Sequence, residues 1–566
     1  MEKRIVECVP NFSEGRDKAV IRQITSAIES SGGVKLLDVD PGEATNRTVV
    51  TFVGSPEAVI EAAFAGVKRA AELIDMRRHK GAHPRMGATD VLPLIPICGI
   101  TLAECAELAR KLAERIAAEL HVPTYCYEAA AFTPERRNLA VCRAGEYEAL
   151  PEKLAHTASA PDFGARPFDD GVARTGATTV GARDFLIAVN FNLNTTSTRR
   201  ANAIAFDVRE KGRPVREGNP VTGKVVKDAA GNPVMQPGTL PATKAIGWFI
   251  EEYGIAQVSM NITDIATTPL HVAFDEVCRK ADARGVRVTG TEIVGLVPKR
   301  ALIEAGKYFL RKQRRSTGIA EQEIVRIAVR SMGLDDLKPF DPAEKVIEYL
   351  LEAEDKQKRL IDMTCKGFAE ETASESPAPG GGSVAAYMGA LGAALGTMVA
   401  NLSSHKAGWD DRWEEFSDWA ERGQAVLAEL LHLVDEDTAA FNRIMAVFAM
   451  PKSTDEEKAA RSAALQEATL YATEVPLRTM KAASRVFEIV RAMASEGNPN
   501  SVSDAGVGAL AARSAVLGAC LNVKINAAGL KDRAVADALI AEADALAAEA
   551  VRLEAEVLQI VESKIG

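Results

Sequence analysis

The sequence contains no CxxC pair and no cysteine cluster: its eight cysteines are scattered singly, most of them within apolar strand or helix patterns. Their spacing excludes a disulfide scaffold or a thiolate metal centre and predicts reduced core residues. The amino terminus, MEKRIVECV, lacks the uninterrupted apolar run of a secretion signal, which predicts a cytoplasmic protein. Positive charge is not in excess either. The chain carries 68 Lys and Arg against 78 Asp and Glu, a net charge of -10, which disfavours nucleic acid and anionic membranes as partners. A local basic site can still bind a small acid. One stretch alone resembles a membrane span, the uncharged segment from Ser376 to Ser404. It is dominated by Ala and Gly rather than by Leu, Ile, Val and Phe, and predicts a helix whose small residues permit close packing, with no membrane partner.

What is present is patterned for several domains. At roughly 150 residues per domain, 566 residues predict three or four compact units. A strand at 5–9, a helix capped by Ser13 and running to about Ser30, and strands at 34–39 and 48–53 open the chain. The cap Ser55 and first-turn Pro56 begin a helix to about Ile74. A strand at 89–97, a helix opened by the Thr101/Glu104 capping box, and a strand at 122–127 follow. This order predicts an α+β, ferredoxin-like sandwich with helices on one face of a sheet. A Gly-, Pro- and Asp-rich stretch at 161–181 reads as a linker, a hinge or a binding loop. A second α+β lobe echoes the first in element order. It has strands at 185–193, 257–262 and 286–288, helices to about Arg209, at 241–253 and at 268–284, and a polar insertion at 212–238 with a hairpin-like turn at its centre. The charged run EAEDKQKR reads as a solvated, helical connector, and beyond it strand signals vanish. Periodic segments at 384–401, 413–443, 455–475, 477–494, 507–526 and 533–565 predict an all-α helical bundle. The predicted division is therefore two lobes at 1–180 and 181–351, a linker at 352–360 and the bundle at 361–566.

Two places gather chemistry. The segment MRRHKGAHPRMGATD (Met76 to Asp90) joins a helix to a strand and concentrates Arg77, Arg78, Lys80 and Arg85 around His79 and His83. The two histidines stand four apart, but Gly81 and Pro84 oppose the helix that would point both at a metal, and no carboxylate-rich or CxxC partner lies nearby. A neutral imidazole can instead serve as a general base, its pKa depressed by neighbouring guanidinium groups. On the residues alone, a solvated basic loop with ordinary histidines is equally consistent.

The other place begins with PGGGS (Gly380, Gly381, Gly382 and Ser383 after Pro379), a helix entry that another group can approach closely but without the lysine of a P-loop. In the helix containing LVDEDTAAFNRIM, Asp435 and Asp437 are about 200° apart and cannot face one pocket. Asp437 shares its side with Leu433, Val434, Ala440, Phe441 and Ile444, whereas Asp435 lies beside His432, Thr438 and Asn442. Asp437 is therefore predicted to be buried with a raised pKa, suiting it to proton transfer or to structural hydrogen bonding.

Several long motifs in order carry a resemblance. VECVPNFSEG, LLDVD, NRTVVTFVG, HKGAHPRMGATDVLP and RAGEYEALPEKL are similar to glutamate formimidoyltransferases. PGGGSVAAYMGALGAALGTMVANLS, DEDTAAFNRIMAVFAMPK and SVSDAGVGALAARSAVLGACLNVKIN resemble formimidoyltetrahydrofolate cyclodeaminases, whose helical fold also serves folate cyclohydrolases. The resemblance implies a bifunctional enzyme of histidine degradation. It would transfer the formimino group of N-formimino-L-glutamate to tetrahydrofolate, a polyglutamylated co-substrate, then close 5,10-methenyl-tetrahydrofolate with loss of ammonia. The residues matching the family's catalytic groups are His83 as base of the transfer and Asp437 in the ring closure. Asp40 is the candidate to orient the imidazole, and Arg85 to hold carboxylates. The loop of Gly164, Ala165, Arg166, Pro167, Phe168, Asp169, Asp170, Gly171, Val172 and Ala173 is implied to lie against folate, with Gly380 to Ser383 in the cyclodeaminase pocket. No metal or nucleotide is implied, and the family suggests a homo-oligomer, a ring of dimers. The rivals are a glutamate formyltransferase fused to a cyclohydrolase, and a non-catalytic folate-binding scaffold.

Overall fold

The computed structural model describes residues 4–42, 46–81, 84–218, 223–354 and 359–565. They form two compact units, Met1–Ala301 with Met332–Glu352, and Leu302–Ser331 with Ala353–Gly566. The mixed α/β region thus precedes a helical region, as the sequence predicts.

The first unit opens with β1 (Ile5–Cys8), β2 (Asn11–Phe12), α1 (Lys18–Ser30), β3 (Val34–Gly42), β4 (Arg47–Gly54), α2 (Pro56–Leu73), β5 (Thr89–Cys98), α3 (Leu102–Leu120) and β6 (Thr124–Glu128). Short helices α4 (Leu139–Cys142), α5 (Leu150–Ala155) and α6 (Asp170–Thr175) lead to β7 (Thr178–Ala182). In the sheet, β3 pairs with β4, β4 with β1 and β2, and these with β5, all antiparallel; β7 and β6 extend it in parallel. Central β5 is buried at nine consecutive positions, the run expected of a strand covered on both faces. Apolar stripes of the helices, including Ile24, Ile28, Val59, Val67, Leu112 and Ile116, close over Phe12, Phe52 and Leu92. Ser55 and the Thr101/Glu104 box cap α2 and α3 as their sequences predict. The cap of α1 differs: Asp17 accepts from the Ala19 and Val20 amides, while Ser13 donates to the Gly87 carbonyl at 2.7 Å.

The same unit continues with β8 (Ile187–Leu193), α7 (Thr198–Val208), β9 (Arg213–Pro214) and β10 (Met235–Gln236), which pair with each other, β11 (Thr243–Ile250), β12 (Ile255–Ile262), α8 (Leu270–Asp282) and β13 (Val288–Val294), and β8, β11, β12 and β13 form a second sheet. Its antiparallel order β11-β12-β8-β13 places its second, third, first and fourth long strands side by side. The antiparallel part of the first sheet has the same order. The helix predicted over 241–253 is instead β11. Thr243, Ala245 and Gly247 are buried while Lys244, Ile246 and Trp248 face outward, so apolar residues on both faces hide the two-residue period. Gly247 is required there, because a Cβ would lie 2.2 Å from the Asn202 backbone nitrogen.

Helices α9 (Lys299–Lys312), α10 (Glu321–Met332), α11 (Pro342–Lys345) and α12 (Ile347–Glu354) come next. The centre of the predicted connector, 355–358, lies outside the described residues. In the second unit stand α13 (Cys365–Thr372), α14 (Gly381–Ser404), α15 (Trp413–Phe448), α16 (Asp455–Glu496), α17 (Val502–Ala527) and α18 (Arg533–Ile565). Although long and apolar enough to cross a bilayer, α14 is a mostly buried core helix. A Cβ on its Gly389 would meet Ala515, Leu430 and Ala483 at 3.2 to 3.3 Å, the close approach its small residues predict. Buried Ala536, Ala543, Ala550 and Val557 recur every seventh position along α18, a narrow seam against the bundle.

The sequence predicts a helix break at Pro476, yet α16 continues through it. Proline has no N–H for the carbonyl four residues back, which is that of Ala472. The Asn526 side chain on α17 donates to this carbonyl at 2.6 Å and supplies the missing bond. Asn526→Ala leaves the carbonyl unpaired and is expected to destabilise the helical unit by about 1–3 kcal/mol, read as a lower denaturation midpoint by circular dichroism.

Candidate active sites

Between α2 and β5 the described residues lack regular structure, so their backbone groups take partners from neighbours. Asn46, left-handed at φ 48°, is their hub. Its side-chain oxygen accepts from the Gly15 amide at 3.0 Å and its side-chain nitrogen donates to the Lys80 carbonyl at 3.0 Å. Its own carbonyl accepts from His79 Nε2 at 2.8 Å. That acceptor places the ring proton on Nε2, leaving Nδ1 to receive Arg85 Nε–H at 3.4 Å. Burial, reinforced by the Arg85 charge and opposed by the Asn46 bond, holds the His79 pKa below its ordinary value. With both nitrogens engaged, His79 is a structural tie of the loop. His83, the predicted base, lies outside the described residues, while Pro84 beside it borders the cavity described below.

Arg85 is largely buried and holds carboxylates of its own chain: Glu146 at 3.1 Å and both oxygens of Glu148 at 2.7 and 2.8 Å. The predicted grip on substrate carboxylates gives way to this internal fork, which fixes the segment around Tyr147 to the loop. Asp40 stands exposed near the end of β3, where its charge acts on Arg47. Buried Asp90 accepts from the Met86 amide at 3.0 Å and pairs with Arg143.

A cavity of about 860 Å³ opens beside these groups, between the ends of β6 and β7 and the second sheet. That size suits an organic substrate rather than a solvent ion. Its charged lining comprises Arg137, Arg143, Arg183 and Lys244 with Glu128, Glu146, Asp184 and Asp264. None of Gly164 to Ala173 is among the lining residues. That stretch packs beside the loop instead: Phe168 meets the Tyr147 ring edge-on at 6.2 Å, Asp169 caps α6, and Arg166 pairs with Asp169. Just beyond it, the Arg174 carbonyl accepts from the Met76 amide at 2.9 Å, and Gly176 forms a bridge with Gly87. A Cβ on Gly87 would sit 2.4 Å from the Ala177 carbonyl oxygen, so glycine is needed for this contact.

The second candidate site lies within the helical unit. Gly380 is the N-cap of α14, and Asp437 faces the helix entry from α15. Ser383 Oγ donates to Asp437 Oδ2 at 3.0 Å and stands 3.4 Å from Thr438 Oγ1. A Cβ on Gly382 would lie 2.1 Å from Asp437 Oδ1, so only glycine permits this approach. Gly380, Gly381, Gly382, Asp437, Thr438, Phe441, Asn522 and Asn526 line a cavity of about 160 Å³. Burial raises the Asp437 pKa, against the Ser383 hydrogen bonds that lower it. The predicted side is only partly covered: Leu433, Val434 and Ala440 are buried, but Asp437 is half-buried and Phe441 is 38% exposed. Asp435 is also half-buried, accepting from the Leu360 amide at 2.6 Å, and so ties the start of the bundle to α15. Among the described residues there is no group of three or more His, Cys, Asp or Glu able to hold a metal.

The neutral His79 ring makes the first unit sensitive to acid. Its folded pKa lies below the unfolded value of 6.5, so the unfolded chain binds the extra proton. This stabilising contribution is complete above about pH 6.5 and is lost as the pH falls below it. Denaturation midpoints measured across that range are expected to fall on the acid side, and His79→Gln is expected to flatten the dependence.

Family models match almost the whole chain: "Formiminotransferase domain, N-terminal subdomain" over residues 5–183, "Formiminotransferase domain" over 188–352 and "Formiminotransferase-cyclodeaminase" over 364–545. A formimidoyltransferase-cyclodeaminase of Mus musculus is 43% identical over 529 residues, covering 94% of this chain and 93% of its own. A glutamate formimidoyltransferase of Streptococcus pyogenes is 42% identical over 307 residues, covering 54% of this chain and 93% of its own. A methenyltetrahydrofolate cyclohydrolase of Methylorubrum extorquens is 40% identical over 202 residues, covering 36% of this chain and 97% of its own. Matched from end to end by relatives that carry both modules, the chain belongs to the formimidoyltransferase-cyclodeaminase family.

Proposed function

We propose that two separate cavities act in succession on one folate. In the first, the formimino group passes from N-formimino-L-glutamate to tetrahydrofolate. The folate nitrogen attacks the formimino carbon as His83 takes its proton, and the bond to the glutamate nitrogen breaks as that amine is protonated. In the second, the other folate nitrogen attacks the same carbon and closes the ring. Ammonia leaves far more readily than an amide anion, and Asp437 relays the proton it requires. The observation that carries this reading is the pairing of unlike cavities in different units. A large, charged one is bordered by the residue next to His83, and a small one is built around a carboxyl group with a raised pKa.

Finer parts of the reading have their own support. The shared strand order of the two sheets supports ferredoxin-like lobes at 1–180 and 181–351, and the three family matches support a linker at 352–360 and a deaminase domain at 361–566. A place in histidine breakdown follows from the donor, and polyglutamylated tetrahydrofolate and a cytoplasmic setting accompany it in this reading. The chemistry as written uses neither metal nor nucleotide. Assembly through the helical unit is supported by exposed Leu391 and Leu402 on α14 and Val507, Leu510, Leu521 and Ile525 on α17. The two helices meet where a Cβ on Gly392 would lie 2.9 Å from the Gly508 carbonyl oxygen, and Asn522, next to Leu521, lines the Asp437 cavity. Dimers joined there, arranged in a ring, would complete the ring-closing site.

The cyclohydrolase relative makes hydrolysis of the closed ring the second reading for the bundle. Ammonia released on adding formiminoglutamate and tetrahydrofolate identifies the deaminase; no ammonia from that mixture, with supplied 5,10-methenyl-tetrahydrofolate hydrolysed to formyl-tetrahydrofolate, identifies the hydrolase. His83→Ala is expected to abolish transfer while preserving ring closure of supplied 5-formimino-tetrahydrofolate, and Asp437→Asn to do the reverse. Loss of both activities from either folded variant overturns the two-site division. Gly382→Ala is expected to slow ring closure by about 10²-fold through displacement of the Asp437 carboxyl group. Leu521→Glu with Ile525→Glu is expected to split the assembly in analytical ultracentrifugation and to depress ring closure along with it.

A further inference from the structure

Three of the four acidic residues lining the larger cavity are already committed to protein partners. Asp184 accepts from the Phe185 amide at 2.6 Å and pairs with Arg300 at 2.5 Å. Asp264 accepts from the Ala266 and Thr267 amides at 2.9 and 3.0 Å, and Glu146 is held by Arg85. Glu128 is the exception. It ends β6 in register with Ala182, in a left-handed conformation (φ 52°) disfavoured for any residue with a Cβ. Its carboxylate makes no hydrogen bond or ion pair among the described residues. Though open to the cavity, it is hemmed in closely enough that burial raises its pKa, against the nearby charges of Arg137, Arg183 and Lys244.

The basic residues divide in the same way. Arg143 pairs with Asp90, and Arg183 donates to the Asp184 carbonyl at 3.0 Å. Arg137 and Lys244 have no hydrogen bond or ion pair among the described residues, yet both line this cavity and both act electrostatically on Glu128. The uncommitted groups are therefore two cations and one carboxylate, a net charge of +1. N-formimino-L-glutamate carries the opposite set: two carboxylates and a formamidine that is protonated at neutral pH, net -1.

We infer that Glu128, Arg137 and Lys244 form the donor subsite, in which Glu128 receives the N–H of the cationic formimino group while Arg137 and Lys244 take the two carboxylates. This rests on the transferase reading above and extends it to recognition of the donor. Charge-assisted bonds of this kind fix orientation as well as adding affinity. Glu128 also selects by repulsion, because a formyl oxygen in the same position offers the carboxylate a second acceptor and no proton.

Initial rates of the full-length enzyme test the assignment. Glu128→Gln is expected to raise KM for N-formimino-L-glutamate by about tenfold or more, with KM for tetrahydrofolate within about twofold of the parent. N-formyl-L-glutamate is expected to inhibit the parent weakly and competitively and this variant at least as well, so that preference for the imino group falls. Lys244→Met, at an exposed strand position, is expected to raise the same donor KM and carries the test if the Glu128 variant does not fold. A rise in KM for tetrahydrofolate in place of the donor, or no change in either, overturns the inference. Absence of transfer in the parent enzyme instead defeats the transferase reading itself, before any variant is made.

Discussion

The first unit depends on satisfying the polar groups of a loop that has no regular structure of its own. Asn46 offers donor and acceptor to Gly15, Lys80 and His79 at once, and Arg85 carries the network on to Glu146 and Glu148. The Asn46 links to Gly15 and His79 are buried, where leaving one partner unpaired costs more than the bond contributes. The described residues on either side of 82–83, Lys80 and Arg85, are thus each tied to other segments of the unit. Gly87 and Gly176 let the segment after 164–173 close against the same loop, so backbone contact takes the place of side-chain packing there.

The helical unit solves a different problem, the approach of helices around a carboxyl group. Gly382 admits Asp437 to the first turn of α14, and Ser383 then supplies a donor. Asn526 repairs the bond that Pro476 removes and also lines the cavity, so one residue serves both helix continuity and the wall of the site. A change that loosens the bundle at Asn526 therefore reaches the cavity directly.

The protonation states of the two sites come from one cause acting in opposite directions. Burial disfavours the charged form, so it lowers the pKa of the His79 imidazole and raises that of the Asp437 carboxyl group. At Glu128 the same burial is opposed by three cations, leaving a carboxylate that answers to whichever cation enters the cavity.

The sequence by itself determined most of the element order, because capping residues and periodicities are local signals. Ser55 with Pro56, the Thr101/Glu104 box and the strand patterns at 34–39 and 48–53 all mark elements that the structure contains. Helical geometry alone separated Asp435 from Asp437, and the motif resemblance found both reactions. Local signals failed where a distant partner decides the outcome. Thr243–Ile250 became a strand because β12 pairs along its length, although apolar side chains on both faces concealed the pattern. Residues 455–496 remained one helix because Asn526, fifty residues beyond Pro476, satisfies Ala472. Tertiary structure alone turned Arg85 inward to its own carboxylates and left Glu128, Arg137 and Lys244 uncommitted in the cavity. Which charges a fold neutralises internally depends on contacts across many residues of chain, and no spacing in the sequence records them.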